Sequence, residues 1–262
     1  MPPLKIVAHR GASFDAPENT LAAVALAWQQ LADAVEIDVR VTKDEQIVAM
    51  HDVDTRRTCN RTRIIADATY AQIRELDASH DKSRQYAGES VPLLAEIFAT
   101  VPAHGKLFVE VKCGDEIIGP LTSQFAQDTE QQSQLVLIGF DAALLSKIKT
   151  ELPHVAVLLC VAAENEKDAW DRTDIDKLIR EAKRLNFDGV DLDARKTICP
   201  EAVDRLRNEN LRCYFWTVDD PICARTLFDC GVDGVTTNRP RWLRAALDRN
   251  PPTATRTTRE SL

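Results

Sequence analysis

The sequence has no long apolar run and no excess of positive charge. No stretch approaches the roughly 18 consecutive apolar residues of a membrane-spanning helix, and the first residues, "MPPLKIVAHR", do not form a secretion signal. The 33 Lys and Arg residues are outnumbered by 41 Asp and Glu residues, for a formal net charge of −8. This balance gives no general attraction to nucleic acid or to an anionic membrane surface. We therefore expect a cytoplasmic protein with no nucleic-acid partner and no membrane insertion.

Paired cysteines and glycine-rich loops are missing as well. The seven cysteines are odd in number and include no CxxC pair, which argues against a disulfide framework and against a zinc site. No glycine-rich phosphate-binding loop is found, so the sequence does not favour an open nucleotide-binding sheet. Attraction of an anionic ligand must therefore come from local positive charge.

Strand-like and helix-like segments alternate along most of the chain. Eight short runs rich in β-branched residues, from "KIVAHR" to "GVDGVTTN", are separated by segments with helical periodicity. This alternation predicts parallel strands joined by crossover helices, and eight repeats favour an α/β fold closed into a (β/α)8 TIM barrel. We expect one domain over residues 1–249, since barrels of this length form single units. Residues 250–262, rich in Pro, Thr and Arg, are predicted to be a disordered tail.

One segment interrupts the alternation. After "AVEIDVRV", the run "IVAMHD" is predicted to form the second strand of a hairpin, and a polar stretch over residues 53–90 precedes the next helix. A connection of this length inside a compact domain is usually functional. We interpret residues 53–90 as a small inserted cap that overhangs one end of the barrel.

Acidic side chains occupy alternate positions on two predicted strands. In "VEIDV" Glu36 and Asp38 share one face of the strand, and in "FVEVK" Glu110 and Lys112 do the same. The apolar residues between them face the helices, so the three carboxylates point into the barrel. Clustered acids repel one another unless a cation lies between them. All-oxygen ligation predicts a divalent cation, Mg²⁺ or Ca²⁺, rather than zinc.

Two histidines follow strand ends near these acids. His9 ends the first strand and His51 ends the hairpin strand, and the pKa of free imidazole suits proton transfer at neutral pH. Three carboxylates, a divalent ion, Arg10, Lys112 and one phosphodiester sum to zero charge. The residues therefore predict a phosphodiester ligand between two imidazoles, one accepting a proton from the attacking oxygen and the other donating to the leaving alkoxide.

An ordered set of motifs resembles one enzyme family from Ile6 to about Leu243. The motifs are, in order, "HRG", "PENT", "EID", "TKD", "HD", "VPLLAEIF", "VEVK", "FWTV" and "GVDGVTTNRP". Together they are similar to those of the glycerophosphodiester phosphodiesterases. The resemblance implies a metal-dependent barrel enzyme that hydrolyses substrates of glycerophosphocholine or glycerophosphoethanolamine type to glycerol 3-phosphate and an alcohol.

The resemblance also implies roles for eight positions of this chain. His9 and His51 would act as acid and base, and Arg10 and Lys112 would take part in catalysis and bind the substrate phosphate. The carboxylates of Glu36, Asp38 and Glu110 would ligate the metal. The ring of Trp216 would border the glycerol. The Glu of "PENT" would hold the first loop at the site. The stretch after the second histidine would correspond to the family's cap.

Some positions depart from the family pattern. Where family members often read "HDxxLDRTTxG", this chain reads "HDVDTRRTCNR", which keeps Arg57 and Thr58 but lacks the Leu and the Gly. Asp219 and Asn238 stand where the Asn of "WTVN" and the Asp of "TDRP" are common. We expect altered cap geometry, with an effect on substrate choice, and altered polarity at the mouth, without loss of a catalytic group.

The residues leave several alternatives open. Lys112 could simply pair with Glu110, and Asp191 and Asp193 share a strand face but match the family poorly. A phospholipase D-like enzyme acting on lysolipid or sphingolipid, or a non-catalytic barrel that binds phosphate metabolites, would use a similar pocket. The sequence does not select the headgroup, the ion, or attack by water over attack by the glycerol 2-hydroxyl. It is compatible with a monomer or a homodimer acting on a small-molecule substrate.

Overall fold

The eight predicted strands form a closed parallel barrel. The computed structural model describes residues 5–79, 82–163 and 169–249. The ring closes because the first strand pairs in parallel with both the second and the last. The barrel strands, in order around the ring, are β1 (Lys5–Ala8), β2 (Ala34–Val41), β4 (Lys106–Val111), β5 (Leu135–Gly139), β6 (Ala156–Val161), β7 (Gly189–Asp193), β8 (Arg212–Trp216) and β9 (Gly234–Thr237). The predicted TIM barrel is confirmed.

The predicted hairpin is also present. Strand β3 (Ile47–Ala49) pairs antiparallel with the end of β2, in a register that sets Val39 opposite Ala49. The chain then enters the segment that carries His51. The hairpin therefore turns the chain back at the end of β2 and brings this histidine to the same end of the barrel as the carboxylates.

Strand residues alternate between the barrel interior and the surrounding helices. Val35, Ile37 and Val39 of β2 lie in the large hydrophobic core that the strands share with the helices. A smaller cluster fills the interior, where the rings of Phe108 and Tyr214 meet edge to face with centroids 5.2 Å apart. This apolar layer underlies the polar residues at the carboxyl ends of the strands.

Seven predicted helices are present, and most begin at residues that cap a helix. Thr20 accepts a hydrogen bond from the amide of Ala23 at 3.2 Å, and aspartates cap three others. The seven are α1 (Leu21–Gln29), α3 (Leu94–Phe98), α6 (Ala142–Glu151), α7 (Arg172–Arg184), α8 (Pro200–Asn208), α9 (Pro221–Asp229) and α10 (Pro240–Arg249). Among the described residues, none of the helices is both long and apolar enough to cross a membrane.

Two further helices connect β4 to β5, where the sequence predicted none. They are α4 (Ile118–Phe125) and α5 (Thr129–Gln134). Gly119 and Pro120 indicate a loop rather than a helix in the sequence of α4. Both lie in the first turn of the helix, where proline is tolerated because its missing N–H has no intrahelical partner. The second is polar throughout and begins at Asp128, whose side chain accepts from the amide of Gln131 at 2.9 Å.

The segment predicted to be a cap has its own small core. It includes α2 (Tyr70–Arg74), and its buried apolar residues, among them Cys59, Ile65 and Ile73, form a cluster separate from the main core. Lys82 ties it to the loop after β1 by donating to the carbonyl oxygen of Ser13 at 2.8 Å. The division into one domain with a cap at residues 53–90 stays a prediction. The predicted tail, residues 250–262, lies outside the described residues.

Candidate active site

Three carboxylates converge at the carboxyl ends of β2 and β4. Glu36 and Asp38 lie on the same face of β2, and the parallel register sets Asp38 beside Glu110 of β4. One oxygen atom from each carboxylate lies within 4.8 Å of the other two. Glu36 and Asp38 are 1% and 0% exposed. The predicted acidic residues are therefore brought together as a compact, buried group.

The carboxylate group has the free acceptor oxygens that a hard cation requires. Glu36 Oε1 and Asp38 Oδ1 are buried and accept no hydrogen bond from the described part of the chain. Burial, followed by the negative charges of Asp38 and Glu110, raises the pKa of Glu36 well above its usual value. Buried carboxylate oxygens that repel one another and accept no hydrogen bond from the described residues fit a divalent cation held by oxygen ligands.

The His-Arg-Gly turn after β1 sets a guanidinium against the carboxylates. Arg10 and Gly11 have positive φ angles of 54° and 79°, and a Cβ on Gly11 would lie 2.6 Å from the backbone of Ala23. Glycine is therefore required there, both for its φ and for the close approach of α1. In this turn the Arg10 amide donates to Glu36 Oε2 at 2.9 Å, and Arg10 Nε lies 3.0 Å from Asp38 Oδ2.

The Pro-Glu-Asn-Thr turn supports the same loop. Asn19 donates through Nδ2 to Asp38 Oδ2 at 3.0 Å and accepts from the Asp38 amide at 3.1 Å. Glu18 Oε1 accepts from Arg10 at 2.9 Å. These contacts occupy Asp38 Oδ2 and leave Oδ1 without a hydrogen bond from the described residues.

His9 has one ring nitrogen held by an amide. Its Nδ1 lies 2.7 Å from Asn238 Oδ1, and Asn238 Nδ2 donates to Asp219 Oδ2 at 2.6 Å. Since an ionised carboxylate only accepts, Asp219 fixes the amide orientation, and the amide oxygen accepts from His9 Nδ1. The neutral ring then presents an unprotonated Nε2, 4.0 Å from Glu36 Oε2. Burial, followed by the charge of Arg10, lowers the pKa of His9.

The Nδ1 atom of His51 contacts a carboxylate, whereas that of His9 contacts an amide. Its Nδ1 lies 2.7 Å from Asp52 Oδ1, and Arg57 Nε donates to Asp52 Oδ2 at 2.7 Å. Arg57 also donates to both carboxylate oxygens of Glu18, at 2.7 and 2.8 Å. Burial alone would raise the pKa of Asp52, but hydrogen bonds from Arg57 and His51 lower it to about 2. The Asp52 carboxylate therefore holds the imidazole ring of His51 through Nδ1.

Lys112 and two aromatic rings form another part of the wall. Lys112 Nζ lies 2.5 Å from Glu110 Oε1 and 3.5 Å from Asp38 Oδ1. The ion pair that the sequence left open is therefore present, and it faces the site. Lys112 Nζ also lies 5.6 Å from the ring centroid of Phe140, and the Phe140 and Trp216 rings meet edge to face at 5.7 Å.

Seven of the eight predicted site residues line one cavity of about 280 Å³, and Asp38 lies directly behind it in contact with Arg10. The cavity is also bordered or backed by residues for which the sequence predicted no site role: Asp52, Phe140, Cys160, Thr217, Asp219, Thr236 and Asn238. Asp191, which the sequence left open, is also in the lining. The "HD" and "TNRP" motifs carried a signal for Asp52 and Asn238, because each adjoins a strand end at the mouth.

The barrel and the groups in its cavity together define a class of enzyme. A TIM barrel with carboxylates, imidazoles and cations around one pocket at the carboxyl ends of its strands is a barrel enzyme suited to phosphate-ester hydrolysis. The profile of the glycerophosphoryl diester phosphodiesterase family matches residues 9–241, and the chain belongs to this family.

Individual relatives extend over the same length. The chain is 28% identical over 242 residues to a glycerophosphodiester phosphodiesterase of Caldanaerobacter subterraneus subsp. tengcongensis, covering 91% of this chain and 95% of the relative. It is 30% identical over 261 residues to a probable glycerophosphodiester phosphodiesterase 1 of Mycobacterium tuberculosis, covering 93% and 92% of the two chains.

Solved structures share the fold. The structure of an Oleispira antarctica phosphodiesterase in complex with the product sn-glycerol-3-phosphate aligns with a TM-score of 0.79 and 25% identity over 93% of this chain and 96% of the other. A putative glycerophosphoryl diester phosphodiesterase from Silicibacter pomeroyi aligns with a TM-score of 0.82 and 23% identity over 95% of each chain, a likeness that concerns the fold alone.

Proposed function

We propose that the enzyme hydrolyses glycerophosphodiesters of glycerophosphocholine or glycerophosphoethanolamine type to glycerol 3-phosphate and an alcohol, with a divalent cation and two histidines. One observation carries the proposal. The imidazoles of His9 and His51 border the same cavity as the carboxylate group. Their Nδ1 atoms have different partners, an amide for His9 and the carboxylate of Asp52 for His51. The Oleispira antarctica relative, crystallised with sn-glycerol-3-phosphate, supports the choice of product.

The two partners suit opposite proton transfers. Burial and the charge of Arg10 lower the pKa of His9, and the amide of Asn238 occupies Nδ1, so His9 Nε2 accepts the proton of the attacking oxygen as it bonds to phosphorus. The carboxylate of Asp52 accepts from His51 Nδ1 and orients the ring, and His51 donates a proton to the leaving alkoxide as its bond to phosphorus breaks. Attack by water yields glycerol 3-phosphate directly. Attack by the glycerol 2-hydroxyl yields a cyclic phosphate, which water then opens.

The carboxylate group supplies the ligands that the cation would need. Glu36, Asp38 and Glu110 would hold Mg²⁺ or Ca²⁺, and the ion would supply positive charge to the phosphate oxygens. Arg10 and Lys112 lie within 3.5 Å of these carboxylates. They are therefore positioned to bind the remaining phosphate oxygens and to offset the charge that develops there.

The remaining parts of the proposal concern the surroundings of the site. The segment at residues 53–90 acts as the cap of a single domain and, through Arg57 and Glu18, supports the loop that carries His9 and Arg10. Trp216 supplies the apolar wall for the glycerol. We further propose that the protein works in the cytoplasm as a monomer or a homodimer.

A substrate panel with each ion in turn tests the proposal. Glycerophosphocholine, glycerophosphoethanolamine, lysophosphatidylcholine and sphingomyelin are offered to chelated protein after addition of Mg²⁺, Ca²⁺ or Mn²⁺. We expect release of glycerol 3-phosphate from the first two, dependent on the ion. Faster turnover of the lipids would favour a phospholipase D-like enzyme, and no turnover of any diester would favour a binding protein.

A further inference from the structure

The wall of the barrel opposite the carboxylates has a different chemistry. Counting around the eight-stranded ring, β7 lies diametrically across from β2, with β8 and β9 beside it. This wall presents Asp191 of β7, Trp216 of β8 and Thr236 of β9 to the same cavity as His9 and Glu36. The wall is therefore placed to contact the part of a substrate that projects away from the phosphate.

Two polar groups on this wall are buried with no partner. Asp191 is 1% exposed and Thr236 is 2% exposed. Asp191 Oδ1 and Thr236 Oγ1 form no hydrogen bond with any residue that the structure describes. A buried polar group without a partner costs about 1–3 kcal/mol, so two on one cavity wall indicate that a ligand completes them.

The surroundings of Asp191 favour a neutral ligand group. Its carboxyl oxygens do not belong to the compact carboxylate group of β2 and β4, and no described cation is paired with it. Burial, followed by the charge of Glu110, raises the pKa of Asp191 well above its usual value. A carboxyl oxygen accepts a hydrogen bond in either protonation state, and the Thr236 hydroxyl both donates and accepts. An alcohol hydroxyl matches both groups, whereas a phosphate offers mainly acceptors.

Trp216 completes the wall between these two groups. Its Nε1 donates to the carbonyl oxygen of Asp191 at 3.1 Å, which fixes the indole relative to β7. The ring borders the cavity and packs against Phe140. A carbon chain bearing hydroxyls can therefore lie on the indole with its hydroxyls directed to β7 and β9.

We propose that Asp191 and Thr236 form a hydroxyl-binding subsite that recognises the polyol portion of the substrate, with Trp216 packed on its carbon atoms. The inference rests on the proposed function, since the phosphate is placed on the opposite wall. Sites that hydrogen-bond a substrate hydroxyl discriminate strongly against analogues that lack it, because the protein groups are left unpaired. The subsite therefore selects glycerol over less hydroxylated groups.

A substrate pair tests the subsite. Glycerophosphocholine is compared with the analogue that lacks the terminal glycerol hydroxyl but keeps the 2-hydroxyl, so that both routes of attack stay available. For the natural chain we expect kcat/KM to favour glycerophosphocholine by at least about tenfold. In Thr236→Val and Asp191→Leu the preference should fall to about twofold or less, while Asp191→Asn keeps most of it because an amide still donates and accepts.

The controls separate this inference from the proposed function. Thr226→Val, on the exposed face of α9, should keep the preference of the natural chain. Equal losses on both substrates in Thr236→Val and Asp191→Leu would overturn the subsite while leaving the phosphodiesterase intact. If the natural chain turns over neither diester, calorimetric binding of glycerol 3-phosphate against propane-1,2-diol phosphate decides. If the natural chain binds glycerol 3-phosphate more tightly and Thr236→Val loses this preference, the subsite is supported without the proposed function. If the natural chain binds both compounds equally, the subsite is overturned.

Discussion

Replacing Glu36 with glutamine should change the stability of the protein in opposite directions with and without a divalent cation. Glutamine keeps an oxygen that can accept from the Arg10 amide, which now donates to Glu36 Oε2 at 2.9 Å. It removes one ionisable group from three whose oxygens lie within 4.8 Å of one another. The substitution therefore tests the charge of the carboxylate group with little change in shape.

The repulsion sets the size of the effect in the ion-free protein. Two ionised carboxylates 4.8 Å apart repel by about 3 kcal/mol at an effective dielectric constant of about 20. Burial and this repulsion raise the pKa of Glu36, so the cost belongs to its ionised form. We expect Glu36→Gln to stabilise the ion-free protein by about 1–3 kcal/mol. For a domain of this size that raises Tm by about 2–12 °C.

Added cation should reverse the ranking. At a free ion concentration one thousand times its Kd, binding stabilises the natural chain by about 4.1 kcal/mol, or about 8–16 °C in Tm. Glu36→Gln has lost one charged ligand, so its Tm should rise by much less at the same concentration. Differential scanning calorimetry of chelated protein, titrated with Mg²⁺, Ca²⁺ and Mn²⁺, measures both effects. Glu151→Gln, an exposed change at the end of α6, is the control and should behave as the natural chain does.

One result would refute this reasoning. If Glu36→Gln were less stable than the natural chain without ions and gained as much Tm from added cation, Glu36 would be a structural acid rather than a ligand. An unchanged Tm with all three cations in the natural chain would remove the metal site altogether. Neither result depends on an activity assay, so both can be judged before the substrate is known.

Other substitutions test the remaining parts of the site. His9→Ala and His51→Ala should each lower kcat by about 100-fold or more with an unchanged circular dichroism spectrum, whereas His104→Ala, on the surface, should not; near-normal turnover in either of the first two would end the acid–base assignment. Asn238→Leu should lower kcat by about 10- to 100-fold with little change in KM, and an unchanged kcat would show that the amide does not position the ring. Gly11→Ala should destabilise by about 2 kcal/mol or more, measured by urea denaturation, and natural stability would contradict the required positive φ.

The fold was largely predictable because its signals are local. Runs such as "VEIDV" alternate in polarity over five residues, and each helix that was predicted has an apolar periodicity of its own. In the two helices that were missed this signal is interrupted or absent, since α4 has Gly119 and Pro120 in its first turn, before its buried Leu121 and Phe125, and α5 has polar side chains from Thr129 to Gln134. Position next to the barrel, rather than intrinsic preference, makes those segments helical.

The acidic group was predictable from strand parity, but its partners were not. Parity places Glu36, Asp38 and Glu110 inside the barrel whatever the exact register. The contact between His9 and Asn238 joins residues 229 positions apart and depends on how β1 and β9 meet. A sequence can mark Asn238 as a departure from a motif, but only the packed barrel shows which ring nitrogen it contacts.

The closure of the barrel between β1 and β9 also positions side chains of the candidate active site. The His9 amide donates to the carbonyl oxygen of Thr237 at 2.9 Å, so the pairing of first and last strands continues into the loops that hold His9 and Asn238. Asp219, at the end of the preceding strand, accepts from Asn238 and from the Thr237 hydroxyl. The orientation of the His9 ring is thus set by residues that follow the last two strands of the chain, whereas the carboxylates come from β2 and β4. The proposed proton acceptor and the carboxylate group border one cavity only when the ring is complete.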